Sequence, residues 1–389
     1  MSTSALPSSQ PPQRLAANPP FRHEHVGSFL RPKALLEARA ALAAGKISAA
    51  DLRKVEDEHI KVHVERLLAE GVPDITDGEF RRQYFHIDFL KMLQGCDVKE
   101  GVLESSGKHV PPTMTVTGKI KHSKNIEVDN FNYLKTLVPA EQHANIKITI
   151  PSPTMLHFRG GRKGISQEAY PDLDDFFADL AAAYREEVQA LYDAGCRYLQ
   201  MDDTNLAYLT DPKMRQDAAA RGEDVDALPS RYAKLINASF ANRPEDMVIG
   251  IHLCKGNFKS QFFAAGSEEG YAPIAKALFG ELNVDVYFLE WEDERSGKDF
   301  SALAGHLSEN KTVVLGLVST KLATMEDKAA LVAKIHDAAK YAPGGLKQLA
   351  ISGQCGFSST HHGNAITEED QYKKLRLLKE VAEEVWGSK

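Results

Sequence analysis

The stretch Val248-Ile-Gly-Ile-His-Leu-Cys254 reads as a short apolar strand that ends in two ligating side chains. Residues two apart on a strand face the same side, so His252 and Cys254 can point at one centre. The same kind of run recurs along the chain. Apolar strands are expected at 23–28, 73–77, 147–151, 198–202, 248–253, 286–290, 312–318 and 348–352. Helical patterns alternate with them near 33–44, 172–194, 229–240, 272–282, 325–340 and 368–386. A further helix opens at Ser48 with Asp51 three residues on, a capping-box pair, and stops at Gly71. Eight strand–helix units predict a parallel sheet closed into an α/β (β/α)8 TIM barrel. The rival is an open doubly wound sheet. It is disfavoured because no Gly-x-Gly-x-x-Gly follows the first strand. One segment breaks the rhythm, at 79–146 between strands two and three. Within it, 109–128 reads as a β-hairpin insertion over the barrel mouth, either a lid or a packing element at the rim.

Composition bounds the rest. The chain has 389 residues, 43% hydrophobic and 26% charged, with a formal charge of -7. These values are ordinary for a soluble globular protein, and they argue against bulk nucleic-acid binding. The four cysteines, Cys96, Cys196, Cys254 and Cys355, are too few for a disulfide framework. Cys96 and Cys196 have no suggestive neighbours and read as structural. No apolar run is long enough to cross a membrane. Residues 1–20, rich in Ser, Pro, Ala and Gln, read as a disordered tail without a secretory pattern. The expectation is one TIM-barrel domain over 21–389, in the cytoplasm, with neither nucleic acid nor membrane as partner.

The ends of the expected strands carry the chemistry. In a barrel they converge on one mouth, where active sites form. His252 and Cys254 end strand five, Glu290 ends strand six, and Cys355 follows strand eight. One nitrogen, two sulfurs and a carboxylate suit tetrahedral zinc, Zn2+. Two thiolates make such a zinc a poor source of hydroxide. It is better suited to binding a thiol and lowering its pKa, with Glu290 as a labile ligand. Glu79 and Asp202 form a second group. They could serve as acid and base, hold a substrate ammonium group, or merely cap helices at the rim. Asp203 must point away if Asp202 points inward. Gly27 and Ser28 could meet a carboxylate. Tyr84, Phe85, Phe158, Trp291 and Phe357 could stack on a flat donor ring or simply pack.

These residues together resemble the catalytic half of cobalamin-independent methionine synthase, in its shorter stand-alone form. The likeness rests on His-Val-Gly-Ser at 25–28, Thr-Asp-Gly-Glu-Phe at 76–80, Tyr-Leu-Gln-Met-Asp-Asp at 198–203, His-Leu-Cys-Lys-Gly-Asn at 252–257, Tyr-Phe-Leu-Glu at 287–290 and Gln-Cys-Gly-Phe at 354–357. It implies a TIM barrel with zinc on His252, Cys254, Glu290 and Cys355. It also implies that Glu79 and Asp202 hold the homocysteine amino group and that Gly27 and Ser28 meet its carboxylate. Glu290 and Asp202 are then the candidate catalytic groups. Phe158 stands where the family has a Trp against the methyl donor. Where the family has a general-acid His after strand seven, this chain has Lys321, in Gly-Leu-Val-Ser-Thr-Lys at 316–321. It is read either as a proton donor or as a rim charge. The expected reaction is methyl transfer to homocysteine, from a folate or a corrinoid protein. The alternatives are alkyl transfer to another thiol, as in epoxyalkane–coenzyme M transferases, a zinc-binding barrel without activity, and a metal-free decarboxylase.

Overall fold

The computed structural model describes residues 21–99, 102–103, 109–110 and 112–387. The tail expected at 1–20 lies outside the described residues. Among the described residues eleven strands are present: β1 (His23–Glu24), β2 (Gln94–Lys99), β3 (Val102–Leu103), β4 (His109–Val110), β5 (Thr113–Lys121), β6 (Lys147–Pro151), β7 (Tyr198–Asp203), β8 (Val248–Leu253), β9 (Val286–Glu290), β10 (Thr312–Val318) and β11 (Leu349–Gly353). Seven of them form one parallel, curled sheet in the order β1-β11-β10-β9-β8-β7-β6.

The gap between β1 and β6 is filled by the segment expected as strand two. Its backbone pairs with one neighbour only. Ile75 bridges Ile146 in parallel, and the Lys147 amide donates to the Ile75 carbonyl at 2.8 Å. Toward β1 the segment itself is joined through side chains, and just beyond it the Phe29 amide donates to the Gly78 carbonyl at 3.0 Å. Asp74 Oδ1 accepts from the His25 amide at 3.3 Å, and His25 Nε2 meets Thr76 Oγ1 at 2.9 Å. Pro73 has no N–H to give to a ladder, and Asp and Thr side chains compete with backbone pairing. A full strand was expected over 73–77; a bridge with side-chain stitching is what forms.

Inside the barrel Val26, Tyr198, Val248, Val286, Phe288, Val314 and Ala350 make a small apolar cluster. The larger core lies between sheet and helices. The Lys147 ammonium is fully buried near it, 2.7 Å from Asp74 Oδ2 and 4.6 Å from the Phe288 ring centre.

Local signals place most helices where the sequence puts them. Ser48 and Asp51 form the reciprocal capping box of Ala49–Glu70, and Gly71 closes that helix at φ 72°. Asp172 caps Leu173–Ala194, which ends on Gly195 at φ 108°. The stretch 272–282 departs from the expected α-helix. It forms a 3-10 turn, Ala272–Ile274, and then a π-helix, Lys276–Glu281. Pro273 and Gly280 both weaken α-helix propagation.

The hairpin also differs in its arms. β5 pairs antiparallel with β2, so one arm lies before the stretch 109–128 instead of inside it. The hairpin docks on the loop after β6. Val116 bridges Ile165, and the Ile120 amide donates to Tyr170 Oη at 2.6 Å.

Candidate functional site

Parallel strands bring their C-terminal ends to one end of the barrel, and register decides which side chains meet there. Asp202 on β7 lies opposite His252 on β8. Leu253 pairs with Leu289, so Glu290 ends β9 one residue above that rung. Cys355 follows β11 by two residues. His252, Cys254, Glu290 and Cys355 are all buried, and one ligand atom from each lies within 4.8 Å of the others. The two sulfurs are 3.3 Å apart. Glu290 Oε1 accepts from the Lys255 amide at 3.2 Å, and Cys254 Sγ accepts from the Gly256 amide at 3.3 Å.

The donor set passes a simple test for a metal. Buried polar atoms are ordinarily paired, yet His252 Nε2 and Glu290 Oε2 have no hydrogen-bond partner. A tetrahedral cation is what would satisfy one nitrogen, two sulfurs and one oxygen. The metal-free electrostatics agree. Cys355 is held well below the usual thiol range by the Cys254 hydrogen bond, against burial, with help from His252 and Lys321. Burial opposes charge on His252, but Cys355, Asp202 and Glu290 outweigh it and raise its pKa. Cys254 is the protonated partner of the bond to Cys355: that bond, burial and the neighbouring anions hold it well above the usual thiol range. Burial pushes Cys96 and Cys196 up to about 12, as inert core thiols.

Beside the four donors lies a small cavity lined by Ser28, Glu79, Asp202, His252, Cys254 and Cys355, among others. Glu79 reaches it from a backbone at φ 58°, unusual for a residue with a Cβ. Asp77 Oδ1 accepts from the Glu79 amide at 2.8 Å, and Arg31 Nη2 donates to the Glu79 carbonyl at 2.8 Å. These bonds hold the strained turn, and such strain concentrates at functional sites. Burial raises the Glu79 pKa, with Arg82 and Arg31 opposing. Burial likewise pushes Asp202 up to about 7, with His252 opposing and Glu79 adding. Burial, the largest cause in both, favours the protonated form of two carboxylates that line one cavity.

Gly27 is required by this arrangement, since a Cβ there would sit 2.9 Å from Glu79 Oε1. Ser28 lines the cavity, but its Oγ already accepts from the Ser358 amide at 3.2 Å. Asp203 turns away, as expected, and accepts from the Leu206 amide at 2.7 Å.

A second cavity shares Phe85, Cys254 and Ser359 with the first, and adds Tyr84, Arg159 and Tyr208. Phe158 is not among the side chains lining either cavity. It stands one layer back, with its ring 5.9 Å from that of Tyr208. Trp291 and Phe357 are buried and pack on Tyr271 and Phe29. No described hairpin side chain lines these cavities; the described part of the hairpin braces the β6 loop. Lys321 is no rim charge; it is 1% exposed.

Sequence reasoning missed several supports. Gln200 Nε2 donates to Asp202 Oδ1 at 2.8 Å. Thr149 Oγ1 donates to Glu79 Oε1 at 3.3 Å. Arg82 donates to Thr149 Oγ1 at 3.2 Å. Gln200 was legible: it is two residues before Asp202 on one strand, hence on the same face. Thr149 and Arg82 carry no such signal.

Comparison with known proteins agrees with the geometry. Residues 21–384 match the family model described as cobalamin-independent synthase, catalytic domain. The uncharacterized protein YxjH of Bacillus subtilis (strain 168) is 40% identical over 94% of this chain and 95% of its own length. The methionine synthase of Sulfolobus acidocaldarius is 29% identical over 60% of this chain and 61% of its own. Among solved structures, a putative vitamin-B12-independent methionine synthase from Listeria monocytogenes superposes with a TM-score of 0.74 at 37% identity, covering 95% of this chain and 98% of that one. A B12-independent methionine synthase from a Shewanella species shares the fold, with a TM-score of 0.68 at 18% identity over 94% of this chain and 97% of that one.

Proposed function

We infer the activity from one premise: this chain belongs to the cobalamin-independent methionine synthase family, as a catalytic domain. Members of this family are methyltransferases. We propose that the reaction here is zinc-dependent methyl transfer to the sulfur of homocysteine. The observation that carries the reading is the buried group His252, Cys254, Glu290 and Cys355, set beside a carboxylate pair in one cavity.

Zinc held by these four residues would bind an incoming thiol sulfur and lower its pKa, so that a nucleophile exists at neutral pH. The chain's own groups do the rest. Glu79 and Asp202 take the substrate ammonium, a cation matched to two carboxylates that line one cavity. Gly27 and Ser28 face the substrate carboxylate. Glu290 would be the most replaceable of the four donors, since carboxylate oxygen is harder than thiolate sulfur. The second cavity is the approach for the methyl donor, a folate or a corrinoid protein, past Tyr84, Phe85 and Tyr208. Phe158 supports that wall from behind.

The pair Glu79 and Asp202 argues against a sulfonate thiol such as coenzyme M, which would bring another negative charge to two buried carboxylates. Among the described residues no helix is long and apolar enough to cross a membrane. A single catalytic domain over 21–389, working in the cytoplasm without a nucleic-acid partner, completes the reading.

The test is a methyl-transfer assay with homocysteine against methyltetrahydrofolate and methyl-corrinoid protein, run on protein with its zinc measured. Methionine from one donor, at roughly one zinc per chain, is the expected result. Zinc-loaded protein that makes methionine from neither would overturn it.

A further inference from the structure

We propose that Thr76 and His25 are positioning residues. Their hydrogen bond ties the turn that carries Glu79 to the turn that carries Gly27 and Ser28, and so sets the gap across which an α-amino acid is gripped. The inference rests on reading Glu79 as a group that takes the substrate ammonium, with Gly27 and Ser28 facing its carboxylate.

These two residues open the two sequence motifs that supply those groups. His25 begins His-Val-Gly-Ser at 25–28, and Thr76 begins Thr-Asp-Gly-Glu-Phe at 76–80. Both are buried, and neither lines either cavity of the site. They meet each other, His25 Nε2 to Thr76 Oγ1, at 2.9 Å. A buried hydrogen bond is ordinarily a matter of packing. Here each end lies within three residues of a group that meets the substrate, and the two ends belong to different segments of the chain.

The far side of the imidazole gives the bond its direction. Asp74 Oδ1 lies 3.0 Å from His25 Nδ1, and Asp74 Oδ2 lies 2.7 Å from the Lys147 ammonium, which keeps the acid ionised. A carboxylate at Nδ1 favours the tautomer with its proton there. Burial lowers the His25 pKa, with Asp74 opposing, so the ring holds one proton and Nε2 is left an acceptor. Thr76 therefore donates its hydroxyl proton to His25. The rival acceptor for that proton, the Gly27 carbonyl, is farther off at 3.4 Å.

The same hydroxyl oxygen also accepts. The Gly78 amide donates to Thr76 Oγ1 at 3.2 Å, and the Gly78 carbonyl accepts from the Phe29 amide at 3.0 Å. Gly78 at φ 63° and Glu79 at φ 58° are two left-handed residues in succession, a conformation that its surroundings must hold. Gly78 is thus clamped on one side by the hydroxyl tied to His25, and on the other by the residue after Ser28.

Clearance across the clamp is small. A Cβ on Gly27 would sit 2.9 Å from Glu79 Oε1, so a slight shift of either turn changes the gap between them. The clamp makes the grip on the ammonium and the grip on the carboxylate cooperate. A thiol with both groups needs both turns at one spacing. A thiol with only one of them is held by one turn, wherever the other stands.

The experiment titrates zinc-loaded wild type, Thr76→Val and Thr76→Ser by calorimetry with three thiols. They are homocysteine, 4-mercaptobutanoate, which lacks the amino group, and 3-aminopropane-1-thiol, which lacks the carboxylate. Thr76→Val should bind homocysteine about tenfold more weakly, and each truncated thiol within about threefold of wild type. Thr76→Ser, which keeps the hydroxyl, should restore homocysteine binding. If Thr76→Val does not fold, His25→Phe carries the same expectations, since it keeps a ring, removes the acceptor and leaves Asp74 on Lys147. A Thr76→Val or His25→Phe protein that binds homocysteine as wild type does, or that loses all three thiols equally, overturns the proposal. So does a Thr76→Ser protein that stays weak. Zinc-loaded wild type that binds homocysteine no better than the truncated thiols removes the amino-acid grip, and this inference with it, while the zinc site stands.

Discussion

Asp202→Asn separates what this carboxylate does for a ligand from what it costs the empty fold. Burial, with Glu79 adding, pushes the Asp202 carboxyl from 3.8 up to about 7 in the metal-free chain. A displacement of that size corresponds to about 4 kcal/mol. The sign follows from linkage. The folded state prefers the protonated acid, so the group costs nothing below pH 3.8, and the cost grows as pH rises through about 7. Asparagine carries no charge at any pH, and its Oδ1 can keep the hydrogen bond from Gln200. Chelator-treated Asp202→Asn should therefore be more stable than wild type at pH 8, by about 2–4 kcal/mol once the desolvated amide is counted. At pH 4 the two should differ by less than about 1 kcal/mol. Urea unfolding at both values reads this. In zinc-loaded protein the same change should weaken homocysteine binding about thirtyfold or more, because a buried ammonium loses one of its two counter-charges. A thiol with the same chain but no amino group, 4-mercaptobutanoate, should bind both proteins alike. The reasoning fails if the variant gains no stability at pH 8, or if both thiols lose affinity equally.

Three further outcomes are expected. Cys355→Ser should lose most of its zinc as measured by mass spectrometry of the metal, and a fully loaded variant would remove Cys355 from the site. Gly27→Ala places a Cβ 2.9 Å from Glu79 Oε1 and 3.1 Å from Thr149 Cγ2. It should cost about 1–3 kcal/mol in urea unfolding and raise the homocysteine KM with zinc content unchanged; an unchanged KM would show that Gly27 does not set the position of Glu79. Lys147→Met strips the buried Asp74 carboxylate of its 2.7 Å partner and should cost about 3–5 kcal/mol at pH 7, whereas a neutral result by denaturant titration would show that the barrel tolerates the lone charge.

Much of this molecule was legible from periodicity. Strand residues alternate faces, so His252 with Cys254, and Gln200 with Asp202, were bound to share a side. Helix ends carried their own signals in the Ser48 and Asp51 box and in Gly71 and Gly195. What failed was local pattern overruled by neighbours. The segment 73–77 looks like a strand, yet Asp74 and Thr76 spend their side chains on His25. The stretch 272–282 has helical apolar spacing, yet Pro273 and Gly280 let the turns tighten and then widen. One hairpin arm was missed because Gln94–Lys99 alternates burial only partly.

The sequence by itself determined the strand–helix alternation, and with it the barrel and the mouth at which strand ends collect. It also determined the donor types, because a His, two Cys and a Glu at strand ends are chemistry written in residue identity. The tertiary structure decided what no spacing states: that atoms on β8, β9 and the loop after β11 lie within 4.8 Å of one another, and that Glu79 reaches them from a left-handed turn. It also decided that Lys321 is buried over the Phe262 ring instead of standing on the rim. The physical reason is that distance and burial are set by register between strands far apart in the chain, while a single residue's neighbours in sequence report only the face it shares with them.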